Sequence, residues 1–252
     1  MHPTGGSAAW FVPLARALPQ GPVLAFQARG LLGGVDPTTV RGIAANYVAE
    51  LPGEAPRALL GWSMGANLAL EMATQLHERG ASAEPLVLVE PYLPNKPARD
   101  RLLGVAADLA GALELRDRVR ALEPSAERDA VLARLREVLL GAGMSPSEAD
   151  LAHDAPIEVW HSLLAALADY EPRPHPGHVH LVVGSEAAAI PDGQPMPGLD
   201  VGFAEYVERW RELALGGLTV HVSPGDHMTI LAEPNARAFA DLLGAIRAEA
   251  RR

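Results

Sequence analysis

Gly61-Trp62-Ser63-Met64-Gly65 sets a serine between two glycines, after the apolar run Ala58-Leu59-Leu60 and ahead of the helix-like run Ala66 to Ala73. A strand, a sharp turn and a helix in that order suit a serine nucleophile. Flanking glycines leave space for a strained backbone bend that lifts the hydroxyl above a sheet. The helix that follows aims its first free N–H groups, that of Met64 foremost, and its positive dipole end at an oxyanion forming beside the hydroxyl. A serine also needs a base, and of the nine histidines in the chain His227 is placed to supply it. It lies in Pro224-Gly225-Asp226-His227-Met228, directly after the alternating run Leu218 to Val222, so a loop leaving a late strand carries it back over the sheet edge. The chemistry implied is acyl transfer through a covalent serine ester.

An acid must orient the imidazole and stabilise the imidazolium. Glu90 is the preferred residue: it ends the fully apolar run Leu86-Val87-Leu88-Val89, so its carboxylate would emerge at the carboxyl end of a buried parallel strand, where catalytic groups collect. Glu186 and Asp192 follow the later run His180 to Val183 and are the rivals. Asp226 is next to the histidine, and neighbouring side chains on an extended loop point apart, so it reads as a turn residue. His175, His178 and His180 cluster before that later run, but no cysteine or acidic pair completes a metal set.

These residues need a scaffold that brings strand ends together. Apolar runs at Val23 to Phe26, Ala58 to Leu60, Leu86 to Val89, His180 to Val183 and Leu218 to Val222 alternate with helical patterns. That arrangement predicts an α/β fold, a mostly parallel sheet flanked by helices, in one domain spanning residues 1–252. The helix after Ser63 should end at Gly80, and the final helix should begin after Pro234 with Phe239, Leu242, Leu243 and Ile246 inward. From about Pro94 to Pro176 the alternation stops. Helices are expected at Arg99 to Leu113, Ala126 to Leu140 and Pro156 to Tyr170, with helix starts at Ser125 and at Ser145-Pro146-Ser147-Glu148. Inserted after the strand bearing Glu90, this segment 94–176 is expected to arch over the site as a lid and line an apolar channel, with Trp160 and Tyr170 in its core.

Composition restricts the function classes. No run approaches the ~20 apolar residues of a membrane helix, and the start shows no targeting signal, so a cytoplasmic protein is expected. The absence of cysteine removes disulfides and thiol nucleophiles. A net charge of −10 with a single lysine, Lys96, opposes nucleic-acid binding, which depends on neutralising phosphates. It would also repel an acidic partner, so docking to one would need a local patch of arginines.

Taken together, His2-Pro3-Thr4-Gly5-Gly6, Gln27-Ala28-Arg29-Gly30-Leu31, the Ser63 motif, Trp210-Arg211-Glu212-Leu213 and Pro224-Gly225-Asp226-His227 resemble the terminal thioesterase domains of non-ribosomal peptide synthetases and polyketide synthases. The resemblance runs from end to end and implies the α/β-hydrolase fold, whose triad order of serine, acid and histidine this chain respects. It implies Ser63 as nucleophile, His227 as base and Glu90 as acid, where the family usually has aspartate. It places the second oxyanion donor, beside Met64, on the backbone N–H of Thr4. It implies a peptidyl or polyketidyl thioester substrate, presented on the phosphopantetheine arm of a carrier-protein domain, so that no cofactor is needed, with release by hydrolysis or macrocyclisation. In the family an apolar strand precedes the His-Pro-x-Gly-Gly loop; here the sequence opens at Met1-His2, so either an incomplete chain or a sheet one strand short is expected. A stand-alone editing thioesterase or carboxylester hydrolase would share the triad, and a domain that has lost catalysis would share the fold.

Overall fold

The runs Leu86–Val89 and Val179–Gly184 are buried along their whole length, the condition of inner strands in a parallel sheet. The computed structural model describes residues 1–18, 23–53, 58–93, 95–144, 146–150, 156–196 and 199–250. Its elements in chain order are α1 (Val12–Ala17), α2 (Val40–Glu50), β1 (Leu59–Trp62), α3 (Met64–Glu78), β2 (Leu86–Val89), α4 (Lys96–Ala121), α5 (Ala126–Gly141), α6 (Pro146–Asp150), α7 (Ile157–Ala168), β3 (Val179–Gly184), α8 (Ser185–Ala188), α9 (Phe203–Leu213), β4 (Leu218–Ser223) and α10 (Ala236–Glu249). The strands form one parallel sheet in the order β1-β2-β3-β4, with Trp62 opposite Val89, Val89 opposite Val182 and Gly184 opposite Ser223.

Alternation along each strand divides the core. Leu86, Leu88, Leu181 and Val183 face a large cluster with α2, α3 and the helices between β2 and β3. Val87, Val89, Val182 and Trp62 face a smaller one with α1 and α10, where Phe239, Leu243 and Ile246 are buried and Leu242 half-buried. The elbow helix α3 ends as its sequence requires: Gly80 has φ 75°, and its N–H donates to the His77 carbonyl at 2.9 Å.

The expected helices between β2 and β3 are present as α4, α5 and α7, with the short α6 among them. Ser125 caps α5 by accepting from the Arg128 N–H at 3.2 Å. The helix start expected at Ser145 falls at Pro146; Ser145 itself, like Pro94, lies outside the described residues. Tyr170 is buried as expected, its hydroxyl donating to Glu71 at 3.2 Å.

One expected strand is not a strand. Val23 to Phe26 carries no ladder; Val23 is 48% and Leu24 64% exposed, while Phe26 stacks on Tyr47 with ring centroids 4.6 Å apart. An extended run becomes a strand only with a neighbour to receive its backbone groups. Among the described residues β1 is the sheet's edge on this side, and the edge takes one bond from the Met1 amino group to the Leu60 carbonyl, at 2.6 Å. An apolar groove of about 410 Å³ lies between the segment and that edge, lined by Phe26, Leu59, Leu60, Val87 and Leu243 and by none of Ser63, Glu90 and His227.

Candidate active site

The carboxyl ends of adjacent strands deliver the candidate residues next to one another. Ser63 and Glu90 each follow the last residue of their strand and continue the ladder by one bond: Ser63 N–H donates to Val89 and Glu90 N–H to Val182, both at 2.9 Å. The two residues therefore stand side by side as the chain leaves the sheet. Both adopt positive φ, 57° at Ser63 and 42° at Glu90, a conformation disfavoured for residues other than glycine and common where a site demands it.

The glycines around Ser63 are obligatory. A Cβ on Gly61 would overlap the Gly65 carbonyl, and a Cβ on Gly65 would overlap the carbonyl oxygens of Met1 and His2. The second overlap shows that the opening loop lies directly against the N-terminus of α3, whose first residue is Met64, a position whose N–H has no intrahelical partner. Thr4 sits in the turn that follows, closed by the Gly6 N–H donating to the Pro3 carbonyl at 2.9 Å. His2, fully buried, anchors that loop through its ring nitrogens, 2.6 Å from the Tyr47 hydroxyl and 2.8 Å from the Pro3 carbonyl. Burial lowers the His2 pKa to about 4, so this anchor is a neutral imidazole.

Of the three acids considered, Glu90 meets the histidine. His227 Nδ1 lies 2.7 Å from Glu90 Oε2, and the other carboxylate oxygen, Oε1, accepts from the Gly184 N–H at 2.8 Å. The carboxylate is buried, whereas Glu186, in α8, and Asp192 are exposed. Asp226 is the turn residue expected: its Oδ1 accepts from the Met228 N–H, the Thr229 N–H and the Thr229 hydroxyl at 2.9, 2.8 and 2.7 Å. Those donors lower the Asp226 pKa, the Thr229 hydroxyl most. The histidines clustered before and along β3 are engaged elsewhere. His175 lies 3.3 Å from the Thr74 hydroxyl, His178 2.9 Å from that of Thr219, and His180 3.0 Å from His221. Among the described residues no three His, Asp or Glu are arranged to hold a metal ion.

Several supporting residues went unnoticed in the sequence. Asn67, one turn into α3 and fully buried, brackets the backbone beyond Glu90, donating to the Tyr92 carbonyl at 2.8 Å and accepting from its N–H at 3.0 Å. Its signal was available: an amide among the apolar residues Ala66, Leu68, Ala69 and Leu70 of a helix needs a partner. Tyr206 donates to the Pro91 carbonyl at 2.8 Å, and burial, followed by the Glu90 charge, pushes its hydroxyl well above the usual tyrosine range. Trp160, expected in a helical core, packs against the large core cluster and also against the opening loop: a Cβ on Gly5 would lie 3.1 Å from its ring.

The parallel sheet, the elbow and the three side chains at its carboxyl edge define an α/β-hydrolase fold. The chain belongs to the thioesterase domain family, a family of hydrolases whose model matches residues 1–246. A dimodular nonribosomal peptide synthase of Bacillus subtilis (strain 168) is 34% identical over 109 residues, 40% of this chain and 5% of its own. The nonribosomal peptide synthetase pngA of Aspergillus terreus is 25% identical over 260 residues, 95% of this chain and 26% of its own. This chain thus spans about a quarter or less of these relatives. Among solved structures, the NocB thioesterase domain in covalent complex with a fluorophosphonate nocardicin G analog shares the fold, with a TM-score of 0.64 at 23% identity over 97% of this chain and 91% of that one. No helix among the described residues is long and apolar enough to cross a membrane.

Proposed function

We propose that this chain releases a peptidyl or polyketidyl group from the phosphopantetheine thioester of a carrier-protein domain, through an ester on Ser63. The observation that carries this reading is the 2.7 Å contact of His227 Nδ1 with the buried Glu90 carboxylate, beside a serine on a positive-φ elbow. With Nδ1 so engaged, Nε2 is the imidazole nitrogen left to take the Ser63 proton as Oγ bonds to the thioester carbon. The oxyanion is met by the N–H groups of Met64 and Thr4. The C–S bond then breaks, and His227 returns the proton to the departing thiol. In the second half His227 activates water, giving an acid, or a hydroxyl or amine of the substrate itself, giving a ring. The thioester arm arrives with the carrier domain, so this chain supplies no cofactor. The multidomain synthetases among its relatives favour such a partner. Residues 94–176 act as a lid that excludes water from the ester, with α7 seated on the opening loop through Trp160.

The test compares thiol release from peptidyl, ketidyl and acetyl N-acetylcysteamine thioesters with hydrolysis of short carboxyl esters. The expected result is a higher kcat/KM for the long thioesters and loss of roughly 10⁴-fold or more in kcat for Ser63→Ala. A preference for short free esters would contradict the reading and indicate a carboxylester hydrolase.

A further inference from the structure

The residue between Gly61 and Ser63 in the elbow has a position the triad does not account for. Trp62 ends β1 and is 2% exposed, on the face of the sheet shared with Phe11, Val89, Ile230 and Leu231. Its indole N–H donates to the backbone carbonyl of His227 at 3.0 Å, and its ring centroid lies 5.5 Å from the imidazole, tilted by 41°. Trp10 closes on it edge-first, with centroids 5.3 Å apart and planes at 62°. The His227 side chain is 47% exposed, so packing alone does not fix it.

The loop bearing His227 is tied on its other side to the start of α8. Gly225 N–H donates to the Ser185 hydroxyl at 3.2 Å, and Glu186 N–H to the Gly225 carbonyl at 3.3 Å. Asp226 stiffens the loop internally but anchors it to nothing else. Trp62 ties the loop to the strand that presents Ser63, adjacent to the nucleophile in the chain. From this geometry we infer that Trp62 is a positioning residue for the base, holding His227 in register with Ser63 through the indole N–H bond to the His227 carbonyl; the inference rests on the acyl-Ser63 reading above. Glu90 fixes the orientation of the ring, while Trp62 fixes where its backbone sits relative to the elbow. A base must come within hydrogen-bond reach of its hydroxyl, and a displacement of ~1 Å costs on the order of 100-fold in rate.

The decisive replacement removes the N–H and keeps the shape. In the full chain, Trp62 is exchanged for 3-benzothienylalanine, an isostere with sulfur in place of N–H, and Trp62→Phe is made alongside. Acylation of Ser63 by a peptidyl N-acetylcysteamine thioester is followed by stopped-flow and intact mass, with KM and Tm measured on the same samples. The expected result for the isostere is an acylation rate lowered about tenfold, with KM within about twofold and Tm within a few degrees of the parent. Trp62→Phe should lose at least as much rate. An isostere that acylates at the parent rate overturns the inference, as does a rate loss matched by an equal rise in KM or fully accounted for by unfolding. If the parent chain itself is never acylated, the failure lies with the acyl-Ser63 reading, and the inference falls with it.

Discussion

Glu90 holds two partners with one carboxylate, the His227 ring on Oε2 and the Gly184 N–H on Oε1, while its own backbone has φ 42°. Glu90→Gln keeps the shape but no longer stabilises the imidazolium, and kcat is expected to fall about 10³- to 10⁴-fold with KM little changed. Glu90→Asp is the more informative change. Aspartate is one methylene shorter, so it cannot span the same two partners without a shift of loop or ring, and kcat should fall roughly 10- to 100-fold. An undiminished kcat for Glu90→Asp would show that the longer side chain has no positional role here. At this scale the sequence was most legible where chemistry constrains residue type and spacing, as in the pairing of Glu90 with His227. It was least legible where a residue acts through its partner. Nothing about Trp62 or Gly184 as a letter says that one donates to the His227 carbonyl and the other to Glu90.

The buried inner strands were readable as apolar runs, so β2 appears with its expected bounds and β3 extends its own by a residue at each end, while the less buried β4 was readable by alternation and extends by one residue. Val23 to Phe26 carries the same kind of run and fails because a strand is a property of a pair, which a single segment cannot encode. The helices between β2 and β3 were legible as periodicity, but their seating on the opening loop was not. Trp160 packs on Gly5, and a Cβ on Gly6 would lie 2.9 Å from Val159. Trp160→Ala should therefore loosen the loop that carries Thr4, and acylation is expected to slow by about 10- to 100-fold, the cost of a poorly held oxyanion donor being up to ~10³. Rates equal to the parent would detach α7 from the chemistry. In the His227 loop, Asp226→Ala removes an acceptor shared by three solvent-accessible donors and should cost about 0.5–1.5 kcal/mol of stability in urea melts.

The molecule carries buried histidines that resist protonation, and acid is therefore destabilising to it. Burial lowers His2 to about 4, and burial together with His178 and His221 lowers His180 to about 4, from an ordinary 6.5. The unfolded chain takes up these protons near pH 6.5 while the folded one does not, so stability is full above that pH and falls as pH drops toward 4. His2 alone should remove roughly 2 kcal/mol between pH 6.5 and 5. Urea midpoints measured at pH 7 and pH 5 check this, and a midpoint that rises on acidification would contradict it. Because His2 anchors the loop bearing Thr4, the same protonation is expected to depress activity before global unfolding. The central claim, however, is the ester on Ser63, and intact-protein mass spectrometry tests it most directly. After mixing with a peptidyl N-acetylcysteamine thioester, the parent chain should gain the acyl mass, transiently or stably, and Ser63→Ala should not. Acyl mass on the Ser63→Ala chain, or a parent chain that gains none, turns over no thioester and resists a fluorophosphonate, would contradict it.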